Sequence, residues 1–153
     1  GAFDLYHFPD GMISTNLEDN FGNDINGSQG QHPGTDSPGA ASVAAMGEAN
    51  GFDGSSPFAP ESYDAAALIM LAMQAAGSSS SADYASKVMD VANAPGVQIF
   101  PGELAKGLKI LADGGEIDYV GGSAVELIGP GESAGAYRQI EIKGGKITTM
   151  KYR

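Results

Sequence analysis

The chain has 153 residues, enough for one ordinary domain core, and 42% of them are hydrophobic, which is typical of a globular protein. Lys and Arg total 8 against 19 Asp and Glu, so the net charge of −11 opposes binding to nucleic acid or to anionic membranes. Because there is no cysteine, neither a disulfide nor a thiolate metal site can form.

The N-terminal region predicts a strand, a turn and then an irregular connection. Residues 3–8 alternate between apolar and polar side chains, which indicates a buried strand, and residues 9–11 form a Pro-Asp-Gly turn. Residues 12–20 predict a short helix or a loop. Residues 22–39 are rich in Gly, Asn, Asp, Ser and Pro, so we expect a long irregular connection between two structural units.

The middle of the chain predicts two helices. The first starts near residue 36 and ends near residue 49. The second, residues 60–76, is apolar nearly all the way round, with Pro60 suited to its first turn and Gly77 to its end. A helix without a polar face must be covered on several sides, as in a layered α/β domain.

The rest of the chain predicts two more helices and then mostly strands. Residues 84, 88 and 91 form the apolar stripe of a helix that starts near Ser80 and closes at Pro95-Gly96. Residues 104, 108 and 111 mark the buried face of a helix that opens at residues 101–103 and ends at Gly114-Gly115. Alternating or β-branched runs indicate strands over 97–100, 118–121, 124–128, 137–143 and 146–152. The pair Gly144-Gly145 predicts a tight hairpin between the last two strands.

Residues 131–135 match the G-x-S-x-G pattern of a serine nucleophile. That motif requires a strand before the serine, a helix after it and, in α/β-hydrolases, a later histidine. Here a strand-like segment follows Ser133, and both histidines, His7 and His32, precede it. We therefore interpret the segment as a glycine-rich turn and predict no catalytic residue and no enzyme.

Metal-ligand patterns are equally weak. Residues 24–27 resemble part of a calcium loop, but aligning Gly27 with the loop glycine places Gly22 and Pro33 where carboxylates are needed. His7 and His32 lack the spacing of metal ligands. The prediction is that the chain holds no metal and no cofactor.

Three residues qualify as ligand contacts. Asp10 follows a predicted buried strand, and a carboxylate at the carboxyl end of an α/β strand can meet a ligand in the crevice beyond the sheet. The alternative is that Asp10 is an ordinary turn residue before Gly11. Phe58 and Tyr63 place aromatic rings at the start of the apolar helix.

Three stretches together resemble the C-terminal part of the branched-chain amino acid group of periplasmic substrate-binding proteins of ABC transporters. They are residues 5–12, residues 58–66 with their Tyr-Asp-Ala-Ala helix start, and residues 129–131 leading into 137–142. The resemblance implies an α/β fold of type I, in which two three-layer α/β/α lobes are joined by crossovers. It also implies that the chain is a fragment carrying about half of a binding site.

By this resemblance, residues 1–30 form the end of the second lobe and a crossover. Residues 31–130 would form the C-terminal part of the first lobe, and residues 131–153 a crossover and the closing strands of the second lobe. The site residues would be Asp10 and Gly11 in the ammonium-binding turn, with Phe58 and Tyr63 lining the pocket. Asp10 is shorter than the glutamate common there, and the serine and threonine donors to the ligand carboxylate lie outside this chain.

The implied function is capture of a small amino-acid-like ligand between two lobes and its delivery to a membrane permease of an ABC transporter. The implied location is periplasmic, or extracytoplasmic with a lipid anchor. The partners would include the missing N-terminal part of the same protein or a second copy, and no nucleic acid. The alternative is a sensory ligand-binding domain of the same fold that regulates a signalling protein.

Overall fold

The computed structural model describes residues 2–129 and 131–153, which form the α/β fold that the sequence predicts. Short 3₁₀ turns lie at Asp10–Met12, Gly22–Ile25 and Ala85–Lys87. The helices are α1 (Thr15–Phe21), α2 (Pro38–Ala49), α3 (Ala59–Ala76), α4 (Ser81–Tyr84), α5 (Val88–Ala92) and α6 (Leu104–Ala112). The strands are β1 (His7–Phe8), β2 (Gln29–Pro33), β3 (Val97–Ile99), β4 (Ile117–Tyr119), β5 (Leu127–Gly129), β6 (Glu132–Ser133), β7 (Tyr137–Lys143) and β8 (Lys146–Tyr152).

The chain divides into two compact units. The described residues of the first fall within Gly1–Asp36, Ser56–Phe58 and Ala136–Arg153, and those of the second within Ser37–Ser55 and Ala59–Gly135. Each unit has a hydrophobic core of its own.

The first unit is built on a four-stranded sheet in the order β1-β2-β7-β8. β1 and β2 are parallel, and the other pairs are antiparallel. The predicted hairpin between β7 and β8 is confirmed, with Gly144 and Gly145 both at positive φ, as a tight hairpin turn requires. One sheet face packs against α1 and the adjoining turns through the buried side chains of Phe8, Ile13, Leu17, Ile25, Ile140 and Ile142.

The prediction of an irregular connection over residues 22–39 is wrong, because β2 lies inside the sheet. Its sequence, Gln-Gly-Gln-His-Pro, contains no β-branched residue, so propensity gives no strand signal. Its neighbours on both sides hold it extended. Gly30 permits this packing, since a Cβ there would lie 2.8 Å from the Phe8 carbonyl oxygen and 2.9 Å from Ile13 Cδ1.

The predicted first strand is shorter than the alternation over residues 3–8 suggests. Only His7 and Phe8 pair with β2, and of these only Phe8 is buried. Phe3 and Leu5 remain exposed. The alternating pattern therefore predicted the right location but overestimated the length of the strand.

In the second unit, β3 and β4 form a two-stranded parallel sheet that packs against helices. Its core joins the buried face of α3 to α5 and both strands, through Ala67, Leu68, Leu71, Ala72, Val91, Ala92, Ile99, Ile117 and Tyr119. α2 begins as predicted, with the Ser37 hydroxyl accepting a hydrogen bond from the Ala40 amide and Pro38 in the first turn.

Helix α3 buries one face rather than its whole circumference. Leu68 and Leu71 are buried, as predicted, and Gly107 of α6 lets the Leu71 side chain pack closely. Ile69 and Met70, however, are 41% and 43% exposed. The sequence predicted that this helix is covered on several sides, whereas among the described residues only one face is buried. No helix among residues 2–129 and 131–153 is long and apolar enough to cross a membrane.

Candidate functional site

Asp10 lies on an exposed turn at the carboxyl end of β1. Pro9 precedes it in an extended conformation, and the carbonyls of Pro9 and Asp10 accept hydrogen bonds from the amides of Met12 and Ile13, each at 3.0 Å. Asp10 Oδ1 accepts a hydrogen bond of 2.7 Å from the Gly11 amide, which orients the carboxylate. Within residues 2–129 and 131–153, no lysine or arginine forms an ion pair with Asp10.

Gly11 has open space around it. A Cβ there would meet no atom within 4 Å, and its φ is not positive. Its contribution to the turn is the amide that holds Asp10. That contribution does not depend on the absence of a side chain.

Phe58 precedes α3 in a backbone conformation that non-glycine residues rarely adopt. Its φ is +70°, and its side chain is 41% exposed. A bulky residue in this region is a genuine outlier, and the left-handed conformation costs roughly 1–2 kcal/mol. Strain of this kind concentrates at functional sites. Phe58 and Asp10 belong to the same unit.

Tyr63 belongs to the second unit, where it has structural contacts. Its hydroxyl accepts a hydrogen bond of 3.1 Å from the Gly102 amide, in the turn before α6. Its ring packs beside the core of that unit and lines an apolar cavity of about 450 Å³, together with Val43, Met46, Asn50, Phe52, Ala59 and Ser62. The structure therefore brings Asp10 and Gly11 together in one turn, while Tyr63 lies in a separate unit.

Asp64 has a structural role that the sequence analysis did not assign. It is only 2% exposed, and its carboxylate accepts hydrogen bonds from the Tyr119 hydroxyl (2.8 Å), the Gly122 amide (2.7 Å), and the amide and hydroxyl of Ser123 (2.7 and 2.6 Å). Burial and the neighbouring carboxylate raise the pKa of Tyr119, so that hydroxyl stays a donor. The sequence contains one signal of the structural role of Asp64. It is a carboxylate on the apolar face of α3, between positions that pack in the core.

His32 is a second residue whose position the sequence did not reveal. It is 3% exposed and lies in β2, opposite Arg138 of β7. His32 Nδ1 lies 2.6 Å from the Pro33 carbonyl oxygen. Burial lowers the pKa of His32 below its usual value, which favours the neutral imidazole at neutral pH.

Ser133 does not have the surroundings of a nucleophile. It is exposed in β6, and its hydroxyl donates to the Ala134 carbonyl at 3.2 Å. The next element is the strand β7, whereas a nucleophile elbow continues into a helix. Among the described residues, no group of three His, Asp or Glu side chains could hold a metal ion.

The chain matches no protein-family model, and no curated protein shows significant sequence similarity to it. The fold is similar to that of a leucine-binding protein, LivK, from Thermotoga maritima MSB8, with a TM-score of 0.68 and 15% sequence identity. The match covers 99% of this chain and 38% of the LivK chain. The chain thus has the fold of part of a type I periplasmic binding protein.

The fold match bears on the whole chain rather than on particular residues. Of the stretches whose sequence resembles such proteins, residues 5–12 form β1 and the Asp10 turn, and residues 58–66 contain Phe58 and the start of α3. In the third stretch, Pro130 lies outside the described residues. At 15% identity the likeness establishes the fold only, and the roles of individual side chains rest on their geometry.

Proposed function

We propose that this chain is part of an extracytoplasmic solute-binding protein that captures a small amino-acid-like ligand and delivers it to the membrane permease of an ABC transporter. The observation that carries this proposal is the exposed Asp10 carboxylate, on the turn after a parallel strand, in a chain whose fold matches part of a leucine-binding protein. Ligands of α/β folds bind beyond the carboxyl ends of strands. The proposed location is periplasmic, or extracytoplasmic with a lipid anchor.

Asp10 would bind the ammonium group of the ligand. Its carboxylate is exposed, already oriented by the Gly11 amide, and carries no ion pair with the described residues. A charge-assisted hydrogen bond contributes about 1.5–3 kcal/mol, which corresponds to roughly 10- to 100-fold in affinity. Gly11 would act only through its backbone.

Phe58 would supply an apolar contact to the ligand side chain. Its ring is partly exposed, on a residue whose φ is +70°. An aromatic ring discriminates side chains by the apolar area that it covers. A ligand contact of Tyr63 would use its ring, since its hydroxyl already accepts the Gly102 amide.

The proposed lobe assignment has residues 1–30 and 131–153 in one lobe and residues 31–130 in the other. The two compact units have similar bounds, but β2 keeps residues 31–33 in the sheet of the first unit, and Phe58 also belongs to that unit. The parallel sheet of the second unit supports completion by further polypeptide. β3 and β4 pair only with each other in the described chain, whereas parallel sheets normally have more strands and are covered on both faces. The additional strands would come from the N-terminal part of the same protein or from a second copy.

A ligand series tests the proposed half-site. The chain is titrated with leucine, with isoamylamine, which lacks the carboxylate, and with isocaproate, which lacks the amine, while amide NMR signals are recorded. We expect leucine and isoamylamine to shift the Gly11 signal with dissociation constants of about 1 mM or weaker, because one charged contact acts without carboxylate donors. Isocaproate is expected to leave that signal unchanged.

Two results would contradict the proposal in different ways. Micromolar binding of leucine with no binding of isoamylamine would show that this chain recognises the carboxylate, which contradicts the half-site. No shift at Gly11 with either amine would remove Asp10 from the binding site.

A further inference from the structure

A carboxylate, an imidazole and a guanidinium lie in neighbouring positions at one end of the first unit's sheet. In the parallel register of β1 and β2, Phe8 is opposite Gly30. Asp10 follows Phe8 by two residues, and His32 follows Gly30 by two residues within β2. β7 then places Arg138 directly opposite His32. The row lies at the carboxyl ends of β1 and β2, where Asp10 is exposed.

His32 is held in a defined state within this row. The imidazole is buried, and with a proton on Nδ1 it donates to the Pro33 carbonyl. Two charged groups face it from the neighbouring elements: Asp10 from the turn after β1 and Arg138 from β7. Burial and the charge of Arg138 lower the pKa of His32, while the Pro33 carbonyl and the charge of Asp10 raise it, and the net effect is a lower pKa.

We propose that His32 belongs to the Asp10 site, and that protonation of its imidazole opposes the binding of a ligand ammonium group at Asp10. Both events place a positive charge beside the same carboxylate. By linkage, each must weaken the other by the same factor. This inference rests on the proposed role of Asp10 in ligand binding.

The consequence is a pH dependence that the carboxylate alone does not give. Because the folded site favours the neutral imidazole, ligand affinity is full above the pKa of His32 and decreases as the imidazole becomes charged. For a partly screened charge pair, the expected loss of affinity is about two- to fivefold.

The test is an NMR pH titration of the two histidine side chains in the full chain, with and without saturating isoamylamine. His7 lies exposed in β1 and gives a reference signal. We expect Asp10→Asn to lower the measured pKa of His32, because a nearby negative charge is removed. Glu141→Gln, on β7 opposite Gln29, serves as the matched control and should leave the pKa of His32 unchanged.

Isoamylamine should lower the pKa of His32 in the unmodified chain and have no effect on it in Asp10→Asn. An unchanged pKa of His32 in Asp10→Asn would show that the charge of Asp10 does not act on His32, and this would overturn the proposal whether or not the ligand binds. If amine binding shifts the Gly11 signal but not the pKa of His32, then protonation of His32 does not oppose ligand binding at Asp10, and the proposal is overturned. If isoamylamine does not bind at all, the proposed function of Asp10 is wrong, and so is the proposed competition between amine binding and protonation of His32. The titration of Asp10→Asn still decides whether the charge of Asp10 acts on His32.

Discussion

Asp64 and Asp10 show how differently the two units use the same side chain. Asp64 is buried, and the Tyr119 and Ser123 hydroxyls and two backbone amides donate to it. The Asp10 carboxylate is exposed and, within the described part of the chain, accepts one hydrogen bond, from the Gly11 amide. The first carboxylate is fully used in holding a loop to a helix. The second is oriented but still accessible to a ligand, which is why we assign binding to Asp10 and stability to Asp64.

The largest expected effect is that of Asp64→Ala on stability. The substitution leaves buried donors without an acceptor, and each unsatisfied donor costs about 1–3 kcal/mol. We expect the free energy of unfolding to decrease by about 3–5 kcal/mol in a urea titration. Asp113→Ala removes an exposed aspartate that pairs with Lys109 in the same unit, and it should cost less than about 1 kcal/mol. Equal effects of the two substitutions would remove the distinction between buried and exposed carboxylates.

Phe58 tests whether backbone strain serves binding. Phe58→Gly removes both the ring and the strain of φ +70°, whereas Phe58→Ala removes the ring but keeps the strain. We expect both to weaken the binding of isoamylamine, and the glycine variant to be about 1 kcal/mol more stable than the alanine variant. Urea unfolding and NMR titration of the two variants provide the comparison. If both bound as tightly as the unmodified chain, Phe58 would have no part in the site.

A smaller effect is expected at Glu18, a partly buried carboxylate of α1 with a stabilising role in the first unit. Glu18 accepts hydrogen bonds from Lys146 Nζ (2.7 Å) and from the Ile147 amide (2.8 Å), and these bonds lower its pKa. Because the folded pKa lies below the unfolded value, the stabilisation is present above the unfolded pKa and is lost as pH falls through the folded one. Glu18→Gln should therefore reduce stability at pH 7, with a difference from the unmodified chain that shrinks toward pH 3.

Urea titrations of Glu18→Gln at pH 7 and pH 3 measure this difference. Glu48→Gln, an exposed position on α2, is the control and should change stability little at either pH. A Glu18→Gln difference that grew toward acid pH would contradict the assigned hydrogen bonds.

Helices α2, α3 and α6 were predictable because their signals are local. Ser37 and Pro38 start α2, Gly77 follows the end of α3, and apolar spacing marks the buried face of α6. β2 was not predictable, because its strand conformation comes from pairing with β1 and β7 rather than from its own residues. Long-range pairing overrides local propensity wherever a strand is polar and rich in glycine.

The candidate site was predictable only in part for the same reason. Asp10 was identified because a turn after a strand is a local pattern. His32 was considered only as a metal ligand, since nothing in the sequence places residue 32 beside residue 10. Asp64 was visible as a carboxylate within an apolar helix, but its partners Tyr119 and Ser123 are more than 50 residues away along the chain.

The role of Asp10 in ligand binding is tested by measuring the stability and the ligand binding of Asp10→Asn together. Urea unfolding and an isoamylamine titration followed at the Gly11 amide are carried out on the same preparation. We predict an unfolding free energy within about 0.5 kcal/mol of the unmodified chain and affinity reduced by roughly 10- to 100-fold. Unchanged affinity in a folded Asp10→Asn protein would show that Asp10 is only a turn residue and has no part in ligand binding.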